Sequence, residues 1–205
     1  MKRLLIALLA LLLLCESRAA EIKVADLVDV QKRIPGVVLD IRYATTNNFT
    51  GKQIYPSARC YLRKQTADKL AMVQQELKSQ GLGLKLFDGY RPLSAQRKLW
   101  EIVPDSRYIA DPAKGSKHNR GAAVDLTLVD KNGKELAMPT PYDDFTEKAH
   151  WNYQNLPQEA IRNRTLLRQI MEKHGFKGIS TEWWHFDDRN WEQYEILDLD
   201  FDKIP

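Results

Sequence analysis

This chain has little cysteine, little net charge and no long apolar run, and each shortage removes a class of explanation. Its 205 residues contain two cysteines, Cys15 and Cys60. The first lies in a segment expected to be removed, so Cys60 has no partner and an intramolecular disulfide is excluded. Nothing flanking Cys60 suggests an activated thiolate, and it reads as a buried small hydrophobe. The longest apolar stretch, Leu4 to Leu14, falls short of the ~20 residues that span a bilayer, so no stable membrane anchor is expected. Basic residues outnumber acidic ones by only 31 to 27. Lys2, Arg3 and Arg18, opposed by Glu16, account for half of that excess and leave the rest of the chain at +2. A partner recognised by charge alone, such as nucleic acid or an anionic membrane, is therefore not expected.

What is present begins with a targeting pattern. Lys2 and Arg3 precede the apolar run, and Ser17-Arg18-Ala19 resembles a small-x-small cleavage site, so residues 1–19 read as a secretory signal peptide and the protein as exported, to the periplasm. Cys15 would suggest lipidation, but Leu14 before it is a poor match to the small residue such a site prefers. Residues 20–205 suit one domain with a full-sized core. No repeat, low-complexity tract or internal linker interrupts them, and oligomeric state has no signature.

Val37 to Tyr43 is β-branched and then alternating, which predicts a strand running into a polar loop at 44–48. Leu70, Val73 and Leu77 give 66–78 a helical period with Gly81 as the stop. Leu84 to Phe87 predicts a short strand, closed by Asp88-Gly89-Tyr90-Arg91-Pro92. A helix capped by Ser94 should follow and bury Leu99, Trp100 and Val103. Ala122 to Val129 reads as a buried strand, and 130–134 as a hairpin turn. The longest helical pattern, Pro157 to His174, places Ile161, Leu167, Ile170 and Met171 inward, with Pro157 in its first turn and Gly175 as its stop. Strands and helices without regular βαβ alternation predict an α+β class: a single domain whose mainly antiparallel central sheet is flanked by helices.

Two short segments carry the chemistry. Ser116-Lys117-His118-Asn119-Arg120-Gly121-Ala122-Ala123-Val124-Asp125 and Glu182-Trp183-Trp184-His185 supply two imidazoles, a carboxylate and a spare Glu. That is a donor set for zinc, and three protein ligands leave a fourth position open to water, as hydrolytic sites require. On a regular strand a separation of seven puts His118 and Asp125 on opposite faces, so a bend near Gly121 is needed if both bind one ion. Glu182 stands between apolar neighbours, where a carboxylate needs a strong reason to be.

Ser116-x-His118-x-x-Gly121-x-Ala123-x-Asp125 with Glu182-x-Trp184-His185 resembles the zinc D,D-peptidases, which include D-alanyl-D-alanine carboxypeptidases and dipeptidases. Asp40 to Thr45, Asn48-Phe49-Thr50-Gly51, Asp88 to Pro92 and Glu182 to His185 are similar to the VanX-type dipeptidases. The likeness runs from Val37 to Phe186. It implies one zinc ion held by His118, Asp125 and His185, with Glu182 as catalytic acid and base and Arg91 stabilising the transition state. Ser116, Tyr43 and Asp143 would bind the dipeptide D-Ala-D-Ala, and residues 20–205 would be the catalytic domain. The signal peptide departs from the resistance-associated members, which act in the cytoplasm.

Two histidines remain outside this set. His174 closes the long helix, where an imidazolium complements the helix dipole, so a structural role is expected. His150, beside Trp151, reads as an outer partner of the site or as an ordinary surface or core histidine. Two other functions fit the same motifs: a D,D-carboxypeptidase acting on peptidoglycan stem peptides, and a non-catalytic wall-binding module that keeps zinc for structure. The unligated Glu182 argues against the second.

Overall fold

The computed structural model describes residues 26–204. The expected signal peptide and Cys15 lie outside the described residues. β1 (Leu27–Asp29) and β3 (Tyr61–Arg63) pair antiparallel as a small ribbon. A second sheet holds β2 (Val38–Leu39), β4 (Leu82–Asp88), β5 (Ala123–Asp130), β6 (Phe176–Gly178) and β7 (His185–Asp188) in the order β2-β4-β5-β7-β6. Only β2 and β4 run parallel, and every other pairing is antiparallel. The described residues also hold four α-helices, α1 (Val30–Arg33), α2 (Lys64–Ser79), α3 (Leu93–Ile102) and α4 (Gln158–Lys173), and five short 3-10 turns. The class is α+β, as the sequence pattern implies.

The two long helices form because their apolar residues recur on one face. Ala67, Leu70, Val73 and Leu77 of α2 are completely buried, each larger aliphatic chain contributing roughly 1.5–3 kcal/mol relative to exposure. Gln74 shares that face and is tolerated because its Oε1 accepts from the Leu84 N–H at 2.9 Å. On α4, Leu167, Ile170 and Met171 point inward, but Ile161 is only half-buried. The remaining inner position belongs to Arg164, 2% exposed, whose guanidinium donates to the carbonyls of His150 and Tyr153. Cys60 is buried, and burial pushes its thiol well above the ordinary range.

Several expectations need correction. The strand predicted over 37–43 is only Val38–Leu39, because the chain leaves the sheet edge after Asp40 donates to the Leu86 carbonyl and then winds into a 3-10 turn at Arg42–Ala44. Ser94 does not cap α3: Pro92 starts the helix two residues earlier, and the Ser94 N–H is taken by Asp198, 104 positions away. Trp100 and Val103 are half-buried while Leu99 is fully buried. Pro157 sits at the N-cap of α4, just outside its first turn. Residues 130–134 do turn, closed by Asp130 N–H to Lys134 C=O, but the return is a single bridge between Val129 and Glu135 instead of a strand.

Register is what positions the site. Asp125 of β5 lies opposite His185 of β7 on one side and opposite Asp88 of β4 on the other. Directly opposed residues hold their Cβ atoms ~4.5–5.5 Å apart, so the Asp88, Asp125 and His185 side chains meet at one corner of the sheet.

Candidate metal centre and active site

His118 reaches that corner from a 3-10 turn, His118–Arg120, which Gly121 ends at φ 67°. The left-handed residue supplies the bend required by the spacing of His118 and Asp125. A Cβ on Gly121 would also stand 2.8 Å from Leu27 Cδ2, so glycine is fixed there twice over.

Three donor atoms form a near-equilateral triangle. His118 Nε2 lies 3.2 Å from His185 Nδ1 and 3.4 Å from Asp125 Oδ1, and His185 Nδ1 lies 3.0 Å from the same oxygen. Tetrahedral zinc with ligands at about 2.0–2.1 Å would separate its donors by roughly 3.4 Å, so the triangle fits a single ion without rearrangement. Among the described residues, this is the group of His, Cys, Asp and Glu able to hold a metal.

Each donor is fixed from behind. His118 Nδ1 is 2.7 Å from the Gly89 carbonyl, His185 Nε2 is 2.8 Å from Asp187 Oδ1, and Asp125 Oδ2 accepts from the Tyr142 hydroxyl at 3.0 Å. An N–H aimed at each outer acceptor leaves the inner nitrogen as a lone pair, the tautomer a metal needs. Gly89 is required for this: a Cβ there would meet Cys60 Sγ at 2.6 Å and the Tyr61 carbonyl at 2.9 Å. Burial opposes the Asp125 charge, but His118 and His185 overcome it and hold the carboxyl well below its ordinary range. Burial likewise works against a charged His185, and hydrogen bonds to Asp125 and Asp187 outweigh it and raise the imidazole well above its ordinary range.

Glu182 stands off the triangle. Its Oε2 is 3.9 Å from His185 Nδ1, too far for a hydrogen bond, and the side chain opens into a cavity of about 390 Å³. Burial raises its carboxyl above the ordinary 4.5, with Asp125 adding to the effect and His185 opposing it. Arg91, on the cavity wall, donates twice to Asp88 Oδ2, at 3.2 and 2.6 Å, once to Tyr55 and once to Gln96. The Asp88 ion pair thus fixes the guanidinium against the cavity wall. Tyr43 donates to Asp143 at 3.1 Å, and both line the cavity. Asp143 holds φ 60°, the one positive value outside glycine among the described residues, a strain usually tolerated where function needs it. Burial first, then Asp125, push its carboxyl well above the ordinary range. Its neighbour Asp144 caps Thr146 instead. Ser116 lines the same cavity, its Oγ accepting from the His118 N–H at 3.2 Å.

The other histidines stay apart. His174 Nε2 is 2.7 Å from Glu76, tying α4 to α2, and His150 offers its carbonyl to Arg164. Neither lines the cavity. Sequence reasoning missed Tyr142, Asp187, Tyr55, Gln96 and the Gly89 carbonyl. Of these only Asp187 had a signal, since residues two apart on a strand share a face.

The sequence profile of the peptidase M15 family, described as D-ala-D-ala dipeptidase, matches residues 23–203. The chain is 42% identical to the D-alanyl-D-alanine dipeptidase of Escherichia coli K12 over 172 residues, 84% of this chain and 89% of that protein. It is 33% identical to the enzyme of the same name from Enterococcus faecium, over 75% of this chain and 86% of that one. A relative in Enterococcus faecalis, also named D-alanyl-D-alanine dipeptidase, is 33% identical over 77% and 88%. With most of its length matched and its donor triangle assembled, the chain belongs to the D-Ala-D-Ala dipeptidase family of M15 metallopeptidases.

Proposed function

We propose that this protein hydrolyses the dipeptide D-Ala-D-Ala to two D-alanines with one zinc ion at His118, Asp125 and His185. The observation that carries this reading is the donor triangle with Glu182 beside it and not in it. Zinc bound there supplies Lewis acidity and lowers the pKa of water from ~15.7 to ~7. Glu182 takes the proton of the attacking water and returns it to the leaving amine, a cycle suited to a carboxyl that burial raises above its ordinary range. Arg91 faces the oxygen on which charge develops, and a fixed donor there is worth ~3–4 kcal/mol. Asp143 and Tyr43 take the substrate's ammonium, whose charge offsets the burial that disfavours the Asp143 carboxylate. Ser116 keeps a hydroxyl proton to donate to the far end of the dipeptide.

Steady-state assays on free D-Ala-D-Ala, its N-acetyl derivative and a pentapeptide stem test this. Hydrolysis of the free dipeptide far above the other two is the expected result. Comparable kcat/KM values would turn the reading toward a D,D-carboxypeptidase, and an inert protein with bound zinc toward a wall-binding module. Zinc is tested against other divalent ions by reconstituting chelated protein and measuring both metal content and rate. Export rests on the pattern of residues 2–19, and fractionation of cells expressing the full chain tests it.

A further inference from the structure

We infer that Lys117 reads the free carboxylate of the substrate, which makes it a specificity determinant for dipeptides with an unmasked C-terminus. This rests on the dipeptidase reading and adds the residue that recognises the second charged end. Five cations line the cavity: Arg91, Arg107, Lys114, Lys117 and Arg120. Four are committed or loose. Arg91 is clasped by Asp88, Arg107 is paired with Asp105 and 74% exposed, Arg120 donates to the Tyr194 carbonyl, and Lys114 stands in solvent, where ions screen it.

Lys117 shares the Trp191 ring with Arg120, whose guanidinium lies 5.2 Å from the same centroid, but unlike Arg120 it donates to no backbone carbonyl. Its ammonium lies over the Trp191 ring, 5.3 Å from the centroid, and 3.5 Å from Asp187 Oδ2. That separation is longer than a good hydrogen bond, and the other Asp187 oxygen is engaged by His185. The ammonium is therefore held in place with donors to spare, and a group already ordered loses less entropy on binding. Lys117, Ile179 and Trp191 also line the neighbouring groove, which Tyr43 and Asp143 do not, so the cation stands at the end of the cavity away from the amine site. Ser116, one residue earlier, has its hydroxyl proton free for the same carboxylate.

The test reads binding without turnover, so its failure is separate from that of the hydrolysis assays. In Glu182→Gln protein loaded with zinc, calorimetry compares D-Ala-D-Ala with its C-terminal amide. The acid is expected to bind roughly tenfold tighter or more, the scale of a hydrogen bond between charged groups. Adding Lys117→Met should remove that preference with metal content unchanged, Lys117→Arg should keep it, and Lys114→Met should leave it nearly intact. With Glu182 restored, Lys117→Met should raise KM for the dipeptide far more than it lowers kcat. An acid preference that survives Lys117→Met, or an absence of preference before it, overturns the proposal. Metal loss in Lys117→Met does the same, because Lys117 would then act through Asp187 and His185.

Discussion

The metal corner and the wall proposed to bind substrate share one cavity but are built largely by different means. The corner comes mainly from paired strands: Asp125 and His185 face each other across β5 and β7, His118 joins them from the 3-10 turn ahead of β5, and each donor has a second partner behind it in Gly89, Tyr142 or Asp187. The wall comes from turns, with Tyr43 in a 3-10 turn, Asp143 at positive φ, and Ser116 and Lys117 in the loop before His118. Sheet register fixes atoms to fractions of an ångström, which a metal demands. Turns can change length and residue without disturbing the ladder, which suits the choice of substrate.

If that division holds, corner variants change metal content and wall variants change KM. The largest effect is expected from His185→Ala, which removes one of three donors: bound zinc and activity should vanish together by metal analysis and assay. Full activity in such a metal-free protein would break the division outright. Next comes Glu182→Gln, which should keep zinc and lower kcat by roughly 10²-fold or more. The same residue sets a pH sign. The base must be ionised, so kcat/KM of the unaltered enzyme should fall as pH drops through a pKa above the ordinary 4.5. Metal loss in this variant would move Glu182 into the corner.

Asp187→Asn should weaken zinc binding by about 10–100-fold, as measured by competition with a chelator, through the loosened His185 ring. Undiminished affinity would mean that strand register alone holds the ligand. The smallest effect belongs to the wall. Tyr43→Phe deletes one hydrogen bond to Asp143 and should raise KM by roughly 2–10-fold with metal content unchanged. Zinc loss in Tyr43→Phe would show that wall and corner are one unit.

The sequence was most informative where a residue's chemistry or period is local. The 3.6-residue period located α2 within two residues at its start, and the buried-strand reading of 122–129 located β5 within one at each end. It was least informative at the edges. The cap of α3 failed because Asp198 does the work from 104 positions away, and β2 fell short because an edge strand lasts only as long as Lys85 and Leu86 are there to pair with it. The same holds at the site. Tyr142 reaches Asp125 over 17 positions and Gly89 reaches His118 over 29, separations no periodicity encodes.

Residue identity by itself determined the donor types, the spare acid, the helical faces and the need for a bend at Gly121. Only the tertiary structure decided that the donors form a triangle of 3.0–3.4 Å edges, which imidazole nitrogen points inward, and which cation is left with donors to spare. Distance along a chain does not fix distance across it. Strand register and turn geometry do, because cross-strand hydrogen bonds lock His185 beside Asp125 whatever lies between them in sequence.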